Sequence, residues 1–240
     1  MEKKQKVLIV IPVFNEEKDL LECIQRLKKV LEIIDTVTWQ IVIADNASND
    51  NTPDIARLIS KDDTRLIYLR LEQKGRGRAI KKAWTQFPSD IYVYMDVDLS
   101  TDLKHLPALI KAIDKYDIAI GSRLHLGSKV VGRSLKREII SRTYNILIGL
   151  MFLTHFSDAQ CGFKAVNDNI VKNLLPKIID NDWFFDSELL IVGEKSGYKI
   201  YEEPVFWVDN PGSTVRVLKT ITGDLRGLLR LFISRPWNKE

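Results

Sequence analysis

Strand and helix patterns alternate through the first half of the chain, which predicts an α/β protein with a mostly parallel sheet flanked by helices. Three observations carry this expectation. VLIVIPV (7–13) and WQIVIAD (39–45) are continuous apolar runs that stop at polar turns, as strands buried on both faces require. Between them, residues 16–31 place Leu20, Leu21, Ile24, Leu27, Val30 and Leu31 at helical spacing. The strand-then-helix cycle then recurs until a fifth strand closes the pattern near residue 121.

The elements follow in order. A polar turn after residue 45 leads into a helix over about 53–60. RLIYLRL (65–71) is a third strand, followed by Gly75-Arg76-Gly77 and a helix to Phe87. DIYVYMD (90–96) is a fourth, with a helix over about 103–115, and DIAIG (117–121) is the fifth. The second half is less regular. An amphipathic helix over about 136–153 precedes a turn at DAQCG and a short strand at FKAV. A helix near 185–194, a strand at KIYEEPVFWV (199–208) and a basic amphipathic tail complete it. We expect one domain over 1–215, in which 123–156 forms an acceptor or interface segment, and a basic tail over 216–240 with amphipathic helical character.

A chain of 240 residues buries a substantial core. Cys23 and Cys161 are too few for a disulfide framework, so a reducing, cytoplasmic setting is expected. The N-terminal apolar run reaches Pro12 and then Asn-Glu-Glu, which reads as a buried strand and not as a signal peptide. No stretch reaches the roughly 18 apolar residues of a spanning helix. The nearest, 139–156, is interrupted by Arg142, Tyr144, Asn145 and His155. The net charge of +4 is concentrated: 121–142 holds six Lys/Arg against Glu138, and 215–239 holds six against Asp224. Such clusters read either as solvated faces or, interleaved with Leu, Ile and Phe, as surfaces for an anionic partner.

The polar residues that interrupt the pattern sit at strand ends, where open parallel sheets bind ligands. They are Asn15 and Glu16 after the first strand, Asp45 after the second, and Asp96 and Asp98 after the fourth. Asp45 opens DNASNDNT, which reads either as an Asx-rich helix-capping turn or as part of a ligand site. In YMDVDLSTDL, two carboxylates lie one residue apart with no basic neighbour in sequence, an arrangement that raises both pKa values. Hard oxygen donors without a Cys/His cluster point to Mg²⁺ or Mn²⁺, ions that keep waters and bridge phosphates. Gly75-x-Gly77 is a weak dinucleotide fingerprint, but it can open a helix N-terminus near an anion beside Arg76 and Arg78. His105, His125 and His155 form no ligand spacing, and no Walker lysine, HExxH or nucleophile elbow occurs.

IPVFNEE, ADNASNDNT, KGRGRA, YMDVDLSTDL, GSR, KREIISRTYN, DAQCGFKAV and FDSELL occur in this order. Jointly they resemble family 2 inverting glycosyltransferases of the GT-A fold, in the branch that glycosylates polyprenyl phosphates. DVDLST, DAQCGFK and FDSELL look closer to dolichyl-phosphate β-glucosyltransferases than to mannose-phosphate synthases, in which a basic residue usually stands where this chain has Phe184. The resemblance implies that Pro12, Phe14, Glu16 and Asp45 hold the base and ribose of a nucleotide sugar. It implies that Asp96, Val97 and Asp98 bind the diphosphate through a divalent metal, with Ser100 lining the donor site. Asp98, at the strand's exit, is the expected direct metal ligand, and Asp96 a ribose or water-mediated contact. Arg123, Arg137 and Ser141 match residues that grip the acceptor phosphate, and Trp207 and Ser213 a loop that closes over the donor. The chain departs from the pattern at Arg76, where lysine is usual, and at Thr214, where lysine often follows the serine.

The implied activity is metal-dependent transfer of a hexose, UDP-glucose being the favoured donor, to a polyprenyl or dolichyl phosphate. Asp96, Asp98 and Arg123 are the residues expected to act on the reacting groups. GDP-mannose as donor, a soluble glycan acceptor, and a nucleotide-sugar-binding protein without catalysis are the alternatives. The expected partners are a nucleotide sugar, a polyprenyl phosphate and a membrane surface, with no nucleic acid and with homo-oligomerisation open. The expected location is peripheral, on the cytoplasmic face of a membrane.

Overall fold

The computed structural model describes residues 4–209 and 217–238. Its centre is a seven-stranded sheet built from β1 (Gln5–Val13), β2 (Val37–Asp45), β3 (Leu66–Arg70), β4 (Ile91–Met95), β5 (Ile118–Ser122), β7 (Phe163–Asn167) and β8 (Ile200–Pro204). The strand order is β3-β2-β1-β4-β7-β5-β8, and all neighbours pair in parallel except β7, which runs antiparallel to both β4 and β5. The expected mostly parallel sheet is therefore present. Its one reversed strand, β7, enters between β4 and β5.

Side-chain alternation divides the core into two layers. Val7, Ile9 and Ile11 of β1 and Ile41 and Ile43 of β2 face one layer. It is closed by α1 (Leu20–Ile33), α2 (Thr52–Lys61) and α4 (Leu106–Ala112). Leu8 and Val10, with Val42, Tyr92 and Tyr94, face the other. That layer is closed by α3 (Arg76–Gln86), α5 (Leu135–Phe152), α6 (Phe185–Lys195) and α7 (Val217–Ser234). Each fully buried Leu or Ile here contributes about 1.5–3 kcal/mol, which is why continuous apolar runs were needed on the central strands.

Several boundaries differ from expectation. The first helix begins at Leu20 and not at Glu16, because residues 15–17 are tied elsewhere. The backbone N–H groups of Asn15, Glu16 and Glu17 donate to Ser48 Oγ, Thr52 Oγ1 and Asp50 Oδ2 at 3.0, 2.8 and 3.3 Å. The run 199–208 is not one strand. It breaks at Val205, so that β8 joins the main sheet while β9 (Phe206–Val208) pairs in parallel with β6 (Lys129–Val131), a strand that periodicity does not announce. Cys23 and Cys161 are both buried and free.

Candidate active site

The strand order reverses between β1 and β4, and the loops leaving their carboxyl ends frame a cleft, as in other open α/β sheets. Asp96 and Asp98 follow β4 directly. Met95, Asp96, Asp98, Leu99, Ser100, Thr101, Gly162, Phe163 and Trp207 line the cleft. Leu99 takes a left-handed φ of 52°, which turns the chain so that Ser100 folds back on Asp98. Ser100 donates from its N–H to Asp98 Oδ1 at 3.0 Å and from Oγ to Oδ2 at 2.8 Å. Val97 is buried beneath the pair.

The two carboxylates are not equivalent, and one has a cationic partner that sequence adjacency hides. Arg76, at the start of α3, donates from Nη2 to Asp96 Oδ1 at 2.6 Å. Its Nη1 donates to Asp186, and Asp186 Oδ1 receives Lys164 Nζ at 2.7 Å. Arg76, Lys164 and Asp186 are all buried. Burial pushes the Asp186 carboxyl up, against the pull of Arg76, and pushes the Lys164 amine down. Asp96 has no basic neighbour in sequence; its partner lies twenty positions back and reaches it through the fold.

Asp98 is open to solvent on the cleft side, while the protein packed around its other side, and then Asp96, raise its pKa. Glu16 is pushed up to about 7, by burial first and then by Asp19, Asp98, Asp50 and Asp96. These acids place surplus negative charge around one cleft. Among the described residues, no three His, Cys, Asp or Glu side chains converge as a complete ligand set. Two carboxylates at the end of one strand fit a hard divalent ion, which prefers oxygen donors.

The other nucleotide-side candidates are gathered by loop–loop hydrogen bonds. Pro12 ends the inner part of β1, and Phe14 lies under Lys74, whose Nζ is 3.7 Å from the ring centroid. Asn15 holds φ 57°, and its Oδ1 accepts from Asn49 N–H at 2.9 Å. Asp45 is wholly enclosed. Its Oδ1 accepts from Ser48 N–H at 2.8 Å, and its Oδ2 from Tyr68 and Arg70 at 2.8 and 2.6 Å. Its carboxylate is therefore spent within the protein, shaping the β2–α2 turn and orienting Arg70.

Basic residues form the facing wall. Arg123 clasps the fully buried Asp158 with Nε and Nη2 at 2.7 and 2.8 Å, and Arg123 together with other donors holds that carboxyl down at about 2 despite burial. Arg123 and Arg133 both pack on the Trp207 ring, at 5.6 and 5.8 Å. Arg137 donates to both oxygens of Asp209, at 2.6 and 2.9 Å. All three arginines thus meet β9 or the residue just past it, beside the cleft. Ser141 lies one helical turn beyond Arg137, is 4% exposed, and its Oγ has no hydrogen-bond partner among the described residues. An unpaired buried hydroxyl is costly. Ser213 and Thr214 lie outside the described residues. Trp183 is half exposed over Arg76, whereas Phe184 and Phe185 are core.

Lys164, Asp186 and Asp158 belong to motifs quoted from the sequence but had no assigned role. For Lys164 and Asp186 the signal was a charged residue inside an apolar run, FKAV and WFFDSELL, which demands a buried partner; Asp158, in the turn DAQCG, gave no such signal.

Residues 8–175 match the family described as Glycosyl transferase family 2. The chain belongs to that family. It is 33% identical over 228 residues to glycosyltransferase AglD of Haloferax volcanii, covering 93% of this chain and 36% of that protein. It is 27% identical over 225 residues to the dolichyl-phosphate beta-glucosyltransferase of Saccharomyces cerevisiae, covering 85% and 67%. With the dolichol-phosphate mannosyltransferase of Pyrococcus furiosus the identity is 31% over 240 residues, covering 98% and 65%. The chain therefore spans about a third of the Haloferax protein and about two thirds of the other two. Among solved structures, glucosyl-3-phosphoglycerate synthase of Mycobacterium tuberculosis, with Mn²⁺, UDP and glucosyl-3-phosphoglycerate, superposes with a TM-score of 0.66. That likeness, at 15% identity over 96% of this chain and 80% of that one, shows a shared GT-A-like fold.

Proposed function

We propose that this family 2 chain is an inverting hexosyltransferase that moves a sugar from a nucleotide diphosphate to a polyprenyl phosphate, with UDP-glucose as donor. The observation that carries the reading is the pairing of two opposed walls on one cleft. Asp98 and Glu16, beside the Arg76-paired Asp96, form an acidic side, and Arg123, Arg133 and Trp207 form a basic side. One side suits a cation-bound diphosphate, the other an acceptor anion. The relatives from yeast and Pyrococcus, named for dolichyl-phosphate glucosyl and dolichol-phosphate mannosyl transfer, support the acceptor class.

Transfer needs little acid–base help from this chain. A phosphate monoester is already largely ionised near neutral pH, so one of its oxygens attacks the anomeric carbon without a protein base. The bond from that carbon to the diphosphate breaks on the opposite face, and the nucleoside diphosphate departs with the electron pair. An α-linked donor then gives a β-linked product. Asp98 and Asp96 would hold Mg²⁺ or Mn²⁺, which stabilises charge developing on the departing diphosphate. Arg123, fixed by Asp158, would hold the acceptor phosphate and offset repulsion between two anionic substrates. Arg137 would reach it by exchanging Asp209 for phosphate.

Thermal-shift titration with Mn²⁺ and UDP, GDP, UDP-glucose or GDP-mannose tests the donor, and transfer to a short polyprenyl phosphate tests the acceptor. Stabilisation by UDP and labelled product from UDP-glucose are expected. A GDP-specific response favours the mannosyl reading, for which the 31% identity to the Pyrococcus relative is the supporting observation.

A further inference from the structure

Asp96 is held on two sides, by Arg76 and by the backbone of Gly162, while its side chain stays 45% exposed toward the cleft. Arg76 is 8% exposed, and its guanidinium lies between the rings of Tyr94 and Trp183, at 5.0 and 5.3 Å. From there it forks to Asp96 Oδ1 and to Asp186. Lys164 continues the chain, bound to Asp186 and to the carbonyls of Ala159 and Cys161 at 3.1 and 2.6 Å. Opposite Arg76, the backbone of Gly162 presses on the same carboxylate. A Cβ there would lie 1.8 Å from Asp96 Oδ2, so only glycine permits the approach, and Gly162 O accepts from Asp96 N–H at 3.0 Å. Lys164, Asp186, Arg76 and Asp96 thus alternate in sign and sum to zero formal charge. Asp98 has Ser100 as its hydrogen-bond donor and keeps its charge for whatever enters the cleft.

We propose that Arg76 is a positioning residue that fixes and neutralises Asp96, so that Asp98 supplies the direct protein ligand to the divalent cation. Asp186, itself anchored by Lys164, sets how much of the Arg76 charge Asp96 receives. The inference rests on the metal-dependent reading above. It explains how two carboxylates one residue apart can divide their work: one is locked as an oriented acceptor for the donor, and the other stays free to coordinate.

The relay predicts opposite signs for two neutralising substitutions. Arg76→Gln removes a cation beside the site and frees Asp96, so Mn²⁺ alone binds about tenfold tighter while turnover of the nucleotide sugar falls. Asp186→Asn leaves Arg76 and Lys164 with one fewer counter-charge, so Mn²⁺ binds more weakly. Arg76→Lys keeps the charge but cannot fork to two carboxylates. Its Mn²⁺ affinity stays within about twofold of the native value while kcat falls.

Calorimetric titration of Mn²⁺ into the full chain, with and without UDP, reads these shifts, and circular-dichroism melts establish that each variant is folded. A folded Arg76→Gln variant that binds Mn²⁺ no tighter than the native chain overturns the proposal. Should that variant fail to fold, Asp186→Asn decides, and unchanged or tighter binding overturns it. A native chain that takes up no Mn²⁺ even with UDP sinks the metal reading itself, and this inference with it. Native binding without the predicted shifts sinks the inference alone.

Discussion

Asp158 and Arg123 illustrate how a buried carboxylate makes an arginine rigid. The carboxylate is fully buried, accepts from Arg123 N–H, Nε and Nη2, and has its pKa depressed to about 2. Because that value lies below the unfolded one of about 3.9, the pair's stabilisation is complete above about pH 4 and is lost as pH falls toward 2. Arg123→Ala strands the charge and is expected to cost about 3–5 kcal/mol, seen in denaturant melts. Arg123→Lys keeps a charge without the two-pronged geometry, so acceptor KM should rise with a smaller drop in Tm. The acidic pair makes a second residue-scale prediction. Asp98→Asn should abolish the Mn²⁺-dependent thermal shift, whereas Asp96→Asn should leave part of it, since Arg76 already offsets Asp96. Equal losses would contradict the division of roles between them.

At the scale of elements, α7 is the informative case. It docks on α6 through Gly227, where a Cβ would lie 2.3 Å from Phe184, and through Arg230, whose Nη1 and Nη2 bind the buried Glu188 at 2.9 and 3.0 Å. Leu228 and Leu231 are core, so this part of the basic tail packs on the domain. The same helix buries Asp224 against Gln160, with no cation as its partner in the described structure. Burial, then Asp186 and Asp180, push that carboxyl up to about 7. A folded pKa above the unfolded value means that stability declines as pH rises from about 4 to 7 and levels off above. Asp224→Asn should therefore stabilise the chain by on the order of 2 kcal/mol at pH 8 and by little at pH 4, read as Tm at both pH values. A pH-independent effect would show that Asp224 is not ionised in the way its surroundings require.

For the whole molecule, the question is what the second half of the chain presents to its surroundings. Leu135, Ile139, Ile146, Leu150 and Leu153 are exposed along α5 and its end, and Leu225, Leu229, Phe232 and Ile233 along α7. The two helices meet through Phe152 and Phe232, whose rings are 6.4 Å apart. Lys136, Arg142, Arg226 and Arg235 accompany these stripes. No helix among the described residues is long and apolar enough to cross a membrane. Amphipathic helices with basic margins suit the interface of an anionic bilayer, where a polyprenyl phosphate would be presented. Flotation with phosphatidylserine vesicles should recover the chain, less so at high salt, and Leu150→Asp should weaken recovery. Equal recovery with neutral vesicles, or none with anionic ones, would remove this surface from the account.

The sequence alone determined the alternating sheet, the location of the acidic pair at a strand exit and the family, because these are properties of short windows. Seven apolar residues predict a buried strand wherever they lie, and DVD marks itself by two charges where the pattern calls for apolar residues. The limits appear where partners are distant in the chain. Arg76 reaches Asp96, and Lys164 reaches Asp186, only once α3, α6 and β7 are packed together. The break at Val205 likewise depends on which sheet receives each half of an otherwise uniform run. What the tertiary structure decided was the charge balance of the cleft. Electrostatic energy depends on distance through a low-dielectric interior, and that distance does not exist until the chain is folded.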